Sequence, residues 1–114
     1  MGWFSKAPTG FFLSTTTPPG VERDQMLGVV HGEAIIGANI FRDMFSSIRD
    51  VVGGRAGGYE RALSGARDAA VEDLVESARE LGANGVIGID FDYEVLGEAN
   101  GMMMVAVSGT AVKL

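Results

Sequence analysis

Val86-Ile87-Gly88-Ile89-Asp90-Phe91-Asp92-Tyr93-Glu94-Val95, a short gap ending in Asn100-Gly101, and then Met102-Met103-Met104-Val105-Ala106-Val107: this stretch decides the fold. The first run alternates. Ile87, Ile89, Phe91, Tyr93 and Val95 share one face and Asp90, Asp92 and Glu94 the other, the period-two pattern of a half-buried strand. The second run is apolar at every position, and so on both faces. A strand of a small open sheet needs only one buried face, so the pattern predicts a subunit whose second face is covered in an assembly. If Asn100-Gly101 is a two-residue type I′ turn, paired residue numbers sum to about 201. Met102, Met104 and Ala106 then join the apolar face of the first strand, and Met103, Val105 and Val107 lie beside its carboxylates. A longer loop starting at Gly97 gives a different register, and either choice leaves one side of the Met-Val strand to be covered.

Upstream, a charged segment with an apolar stripe (Leu63, Ala66, Ala70, Leu74, Ala78 and Leu81) reads as a helix over Tyr59–Leu81, with Gly82 as its C′ residue. Before it, Phe41, Phe45, Ile48 and Val52 recur at helical spacing behind Asn39, a good N-cap, and predict a first helix that ends at Gly53-Gly54. Met26–Ile36 reads as a strand with Val29, His31, Glu33 and Ile35 on one face and Val30, Gly32, Ala34 and Ile36 on the other. Its Gly28 and Gly32 predict a bulge or a close backbone approach. Phe11–Thr17 reads as a further strand stopped by Pro18-Pro19-Gly20, and Val21–Gln25 as polar linker. The expected order is β-β-α-α-β-β: an α+β, two-layer sandwich with its helices on one face of a mainly antiparallel sheet. Residues 1 to about 10 read as a flexible N-terminal arm, and residues 11–114 as a single domain.

At 114 residues the chain can bury roughly two-thirds of the surface its unfolded form exposes. A net charge of -6 with only nine Lys and Arg argues against a nucleic-acid surface, since phosphate neutralisation needs clustered cations. No cysteine is present, which excludes disulfides and thiolate metal sites. No apolar run approaches the ~18 residues of a membrane span, and no export signal opens the chain. The expectation is a soluble cytoplasmic protein.

Asp90, Asp92 and Glu94 stand about 6.6 to 7 Å apart along one strand face. With oxygens from a neighbouring strand or subunit they could hold a hard divalent cation such as Mg²⁺ or Ca²⁺. The plainer reading pairs them with Arg42, Arg49 or Arg55. His31 and Glu33 share a face, but one histidine without cysteine leaves a zinc site short of ligands unless carboxylates or other subunits complete it. Met102 and Met104 offer thioethers for copper(I), although Met in a strand more often fills core or interface. Gly53-Gly54-Arg55-Ala56-Gly57-Gly58 before a helix could bind an anion, yet it lacks the Walker lysine and the GxGxxG spacing. The single imidazole and the absence of a G-x-S-x-G elbow make nucleophilic catalysis a poor fit, so no catalytic residue is assigned. A hydrolytic role for the carboxylates with His31 ranks last.

One colinear series then stands out: Gly32-Glu33-Ala34-Ile35, Gly37-Ala38-Asn39-Ile40-Phe41-Arg42-Asp43, Gly53-Gly54-Arg55, Tyr59-Glu60 and Leu81-Gly82-Ala83-Asn84. It continues through Gly88-Ile89-Asp90, Asp92-Tyr93-Glu94 and Val107-Ser108-Gly109-Thr110-Ala111-Val112. Over about residues 12 to 114 this resembles the YbjQ-like family of small bacterial proteins, which carries a heavy-metal-binding label. The resemblance implies an α+β fold and a homo-oligomeric ring, a pentamer being the usual expectation. It implies no established ligand set. Relatives of this kind are expected to carry Cys just before the glycine-containing strand, where this chain has Leu27, so a soft-metal role loses its best ligand.

Overall fold

A computed structural model describes residues 10–37, 57–96 and 101–114. The described elements are β1 (Phe12–Leu13), a 3₁₀ turn (Arg23–Gln25), β2 (Met26–Ile36), α1 (Gly57–Glu80), β3 (Gly85–Leu96) and β4 (Met102–Val112). They form one four-stranded sheet in the order β1-β3-β4-β2, with α1 packed on one face. The sheet is mainly antiparallel, only the short β1 running parallel to its neighbour β3. The α+β architecture, the span of β2 and the long helix agree with the sequence reading. The expected helix behind Asn39 and residues 1–9 of the expected N-terminal arm lie outside the described residues.

Two expectations are corrected. The Phe11–Thr17 strand shrinks to Phe12–Leu13, because beyond it Ser14 continues along β3 only through single backbone bonds to Val86 and Ile89. Part of the polar linker is a 3₁₀ turn in which the Gln25 side chain accepts the Glu22 backbone N–H at 2.6 Å.

Of the two hairpin registers open to the sequence, the longer loop holds and the tight turn does not. Leu96 lies opposite Met102, Glu94 opposite Met104 and Asp92 opposite Ala106, whereas the tight-turn register would have set Leu96 against Val105. An odd slip exchanges the two faces of a strand, and burial decides which register holds. Val105 and Val107 are fully buried beneath the helix, and the tight-turn register would have put Glu94 and Asp92 there with them. The connection from Leu96 to Met102 is therefore longer than two residues. Met102, Met104 and Ala106 line up with the carboxylates on the helix-free face, and the Met-Val strand gives its β-branched residues to the core.

Gly88 breaks the alternation of β3. It sits at φ 63°, left-handed backbone that glycine adopts without a Cβ clash, and the pairing skips between Ile87 and Asp90. The bulge puts Ile87 opposite Thr110 and leaves Ile89 in the core cluster, so these two isoleucines do not share the uninterrupted face the sequence suggested.

The core joins Ala66, Ala70, Leu74 and Ala78 of α1 to Val30 and Ile36 of β2, Val86 and Ile89 of β3, and Val105, Val107 and Ala111 of β4. Alanines at i, i+4 spacing let the helix approach closely. Directly beneath them, a Cβ on Gly32 would collide with the Ala70 carbonyl and the Leu74 backbone. The other glycine flagged in this strand, Gly28, marks a bulge between Met26 and Gly28. Past Glu80, Ala83 N–H bonds the Ala78 carbonyl at 3.1 Å and Gly82 N–H the Arg79 carbonyl at 2.9 Å, a Schellman closure at the expected C′ residue.

Candidate functional site

The register sorts every candidate ligand onto the helix-free face. Rows run across the sheet as His31–Ser108–Asp90, Glu33–Ala106–Asp92 and Ile35–Met104–Glu94. His31 and Glu33 form one column on β2, and Asp90, Asp92 and Glu94 another on β3; all five are exposed. Between the columns lies β4, which presents the half-buried Met104, Ala106 and Ser108. Two interstrand spacings separate the columns, about 10 Å. A hard cation needs its oxygens converging at roughly 2.0 to 2.6 Å, so across such a span the side chains would have to lean toward each other over β4. Among the described residues no group of three or more His, Asp or Glu side chains is arranged to hold a metal ion. One chain thus brings the five residues to one surface and does not bring them together.

The proposed arginine partners Arg42, Arg49 and Arg55 lie outside the described residues, as does most of the glycine-rich segment considered for anions. Met102 and Met104 do share a face, but they stand beside Leu96 and Glu94 rather than beside a third soft donor.

Other side chains shape this surface without announcing themselves in the sequence. Asp73, on the flank of α1, accepts the Glu33 backbone N–H through Oδ2 at 3.1 Å. That bond shows that the odd-numbered residues of β2 aim their backbone groups away from β4, toward the open edge. On the helix side, Arg67 Nη1 donates to the Tyr93 hydroxyl at 3.5 Å, while Arg67 Nε is buried without an acceptor. Both contacts link residues far apart in sequence, so no local pattern carries them.

Apolar exposure concentrates on the same strands. Of the nine large apolar side chains exposed among the described residues, Met26, Leu27, Val29 and Ile35 are on β2, and Tyr93 and Val95 on β3. Val29 is 69% exposed and Ile35 60%, both on the helix-free face. No helix among the described residues is long and apolar enough to cross a membrane.

A solved structure of a protein of unknown function from Pediococcus pentosaceus, belonging to the DUF74 family, superposes with a TM-score of 0.65. The two are 19% identical, and the match covers 93% of this chain and 99% of that one, which supports the fold assignment. A family model described as "Putative heavy-metal-binding" matches residues 11–114. That span is nearly the whole chain, and the chain belongs to the YbjQ family.

Proposed function

We propose that this protein is a cytoplasmic homo-oligomeric binding module that holds a divalent metal ion between its copies, in a ring whose expected membership is five. The observation that carries the reading is the division of His31 and Glu33 from Asp90, Asp92 and Glu94 across β4. The donors share one face, and a second copy is needed to bring complementary donors within reach. The family description favours a metal as the ligand. With oxygen donors and one imidazole, the cation is hard or borderline, Mg²⁺, Ca²⁺ or Zn²⁺, and copper(I), mercury and cadmium bind weakly. Elemental analysis of protein purified without an affinity tag, followed by calorimetry with each cation, tests this. A stoichiometric ion lost in the Asp90→Asn, Asp92→Asn double variant is the expected result. A clean metal-free protein that takes up none of these ions at millimolar concentration rejects it.

A second reading, a structural or partner-binding ring with no small ligand, is favoured by the exposed apolar residues of β2, which suit a protein surface better than an ion.

A further inference from the structure

We propose that the hollow between the end of β2 and the flank of α1 receives Tyr93 and Val95 of a second copy of this chain, so that copies join head to tail. This rests on the oligomeric part of the reading above and names the two surfaces involved.

The hollow has a volume of about 250 Å³ and is lined by Ala34 and Ile36 from β2 and by Ala62, Gly65 and Ala69 from α1. Small side chains at i, i+3 and i+7 on the helix leave it open, and a Cβ on Gly65 would meet nothing within 4 Å. Tyr93 and Val95 project from β3, across β4 from β2 and on the same helix-bearing face, 46% and 55% exposed. The levels match. Tyr93 and Ala34 both pair with Val105, and Val95 and Ile36 both pair with Met103. An aromatic side chain with a neighbouring aliphatic one is the kind of anchor that fills an apolar pocket at an interface.

Strand direction fits a rotation. β2 and β3 are both antiparallel to β4 and therefore run the same way. Rotation about an axis along the strands carries one edge to the other without reversing it, which makes the contact heterologous. An isologous contact of hollow on hollow would leave Tyr93 and Val95 in water.

Charge is complementary at the same place. The Arg67 guanidinium lies at the Tyr93 hydroxyl with Nε buried and unpaired, and the exposed Asp73 stands one helical turn beyond Ala69, a lining residue of the hollow. Seating Tyr93 brings that cation toward Asp73 of the second copy. Because Asp73 already takes the Glu33 N–H, the middle of β2 is closed to an added strand. Docking is therefore by side chains at the Ala34–Ile36 end.

Light scattering at micromolar concentration, in chelator and again in Mg²⁺, tests the proposal with two variants. Gly65→Trp fills the hollow and keeps the projecting residues; Tyr93→Ser with Val95→Ser does the reverse. The parent assembles, and each variant alone falls to the 12.0 kDa chain with its circular dichroism and cooperative melt retained. An equimolar mixture holds one open hollow and one intact projection per pair, and gives a heterodimer with nothing larger. If Gly65→Trp does not fold, Ala69→Arg at an exposed position replaces it. A monomeric parent under both conditions, an assembly kept by either variant, or variants that dissociate and do not pair on mixing would overturn the proposal. An assembly that forms in chelator with no bound cation rejects the metal reading and leaves this one standing.

Discussion

The Asp73 carboxylate accepts the backbone N–H of Glu33 at 3.1 Å, so a helix side chain occupies a donor that the last strand of the sheet would otherwise offer to solvent or to another chain. An unpaired strand edge invites strand addition, and an acid reaching over it is one of the ways proteins close such an edge.

Asp73→Ala removes the acceptor and exposes the N–H to water at the sheet edge. The expected loss is about 1 kcal/mol in urea unfolding, the net worth of one hydrogen bond with a charged partner that solvent partly replaces. Asp73→Asn keeps an oxygen in place and should lose less. No measurable loss for Asp73→Ala would show that the bond contributes nothing.

Gly32→Ala should be among the most damaging single-methyl changes in this chain. Its Cβ points at the Ala70 carbonyl and the Leu74 backbone, groups that cannot rotate away, so the helix must lift from the sheet. Overpacking of this kind costs ~1 to 3 kcal/mol, and the upper end is expected because backbone is struck. A chemical melt within 0.5 kcal/mol of the parent, roughly the range of neutral surface changes, would show that α1 rides higher than the structure has it.

Val105 and Ala106 are adjacent and point to opposite faces, which makes them a paired test. Val105 is 0% exposed in the helix-side core, so Val105→Asp buries an unpaired carboxylate and should abolish the cooperative transition. Ala106 is half-buried on the helix-free face between Glu33 and Asp92. Ala106→Asp should leave a folded chain. The reverse pattern in circular dichroism melts would return the hairpin to the tight-turn register.

Pairing with an arginine would make Asp90→Asn and Asp92→Asn costly only if the pair were buried, and both side chains are exposed in the single chain. Their effect on the stability of the isolated chain should stay within about 0.5 kcal/mol. A much larger loss in thermal melts at concentrations where the protein is assembled, and not in dilute monomer, would locate these carboxylates inside an interface.

Periodicity was enough to recover β2 to the residue, α1 to within its end turns, and the α+β class, because apolar spacing is a local property set by which face must leave water. It also separated His31 and Glu33 from Val30 and Ile36, and so put the candidate ligands on one face of their strand. Three things required the tertiary structure. Register depends on which partner residues stand opposite, and Val105 and Val107 chose it by packing under a helix that precedes them in the chain. The bulge at Gly88 split Ile87 from Ile89, and a lone glycine in a strand does not say whether it bulges or makes room, as Gly32 does for Ala70. The distance between the two columns of ligands was set by strand order: β4, last in the chain, lies between β2 and β3. Alternation fixes which way a side chain points. How far it stands from another strand's side chain is decided only when the sheet assembles, and that spacing is why the acids and the histidine of one chain share a surface without sharing a site.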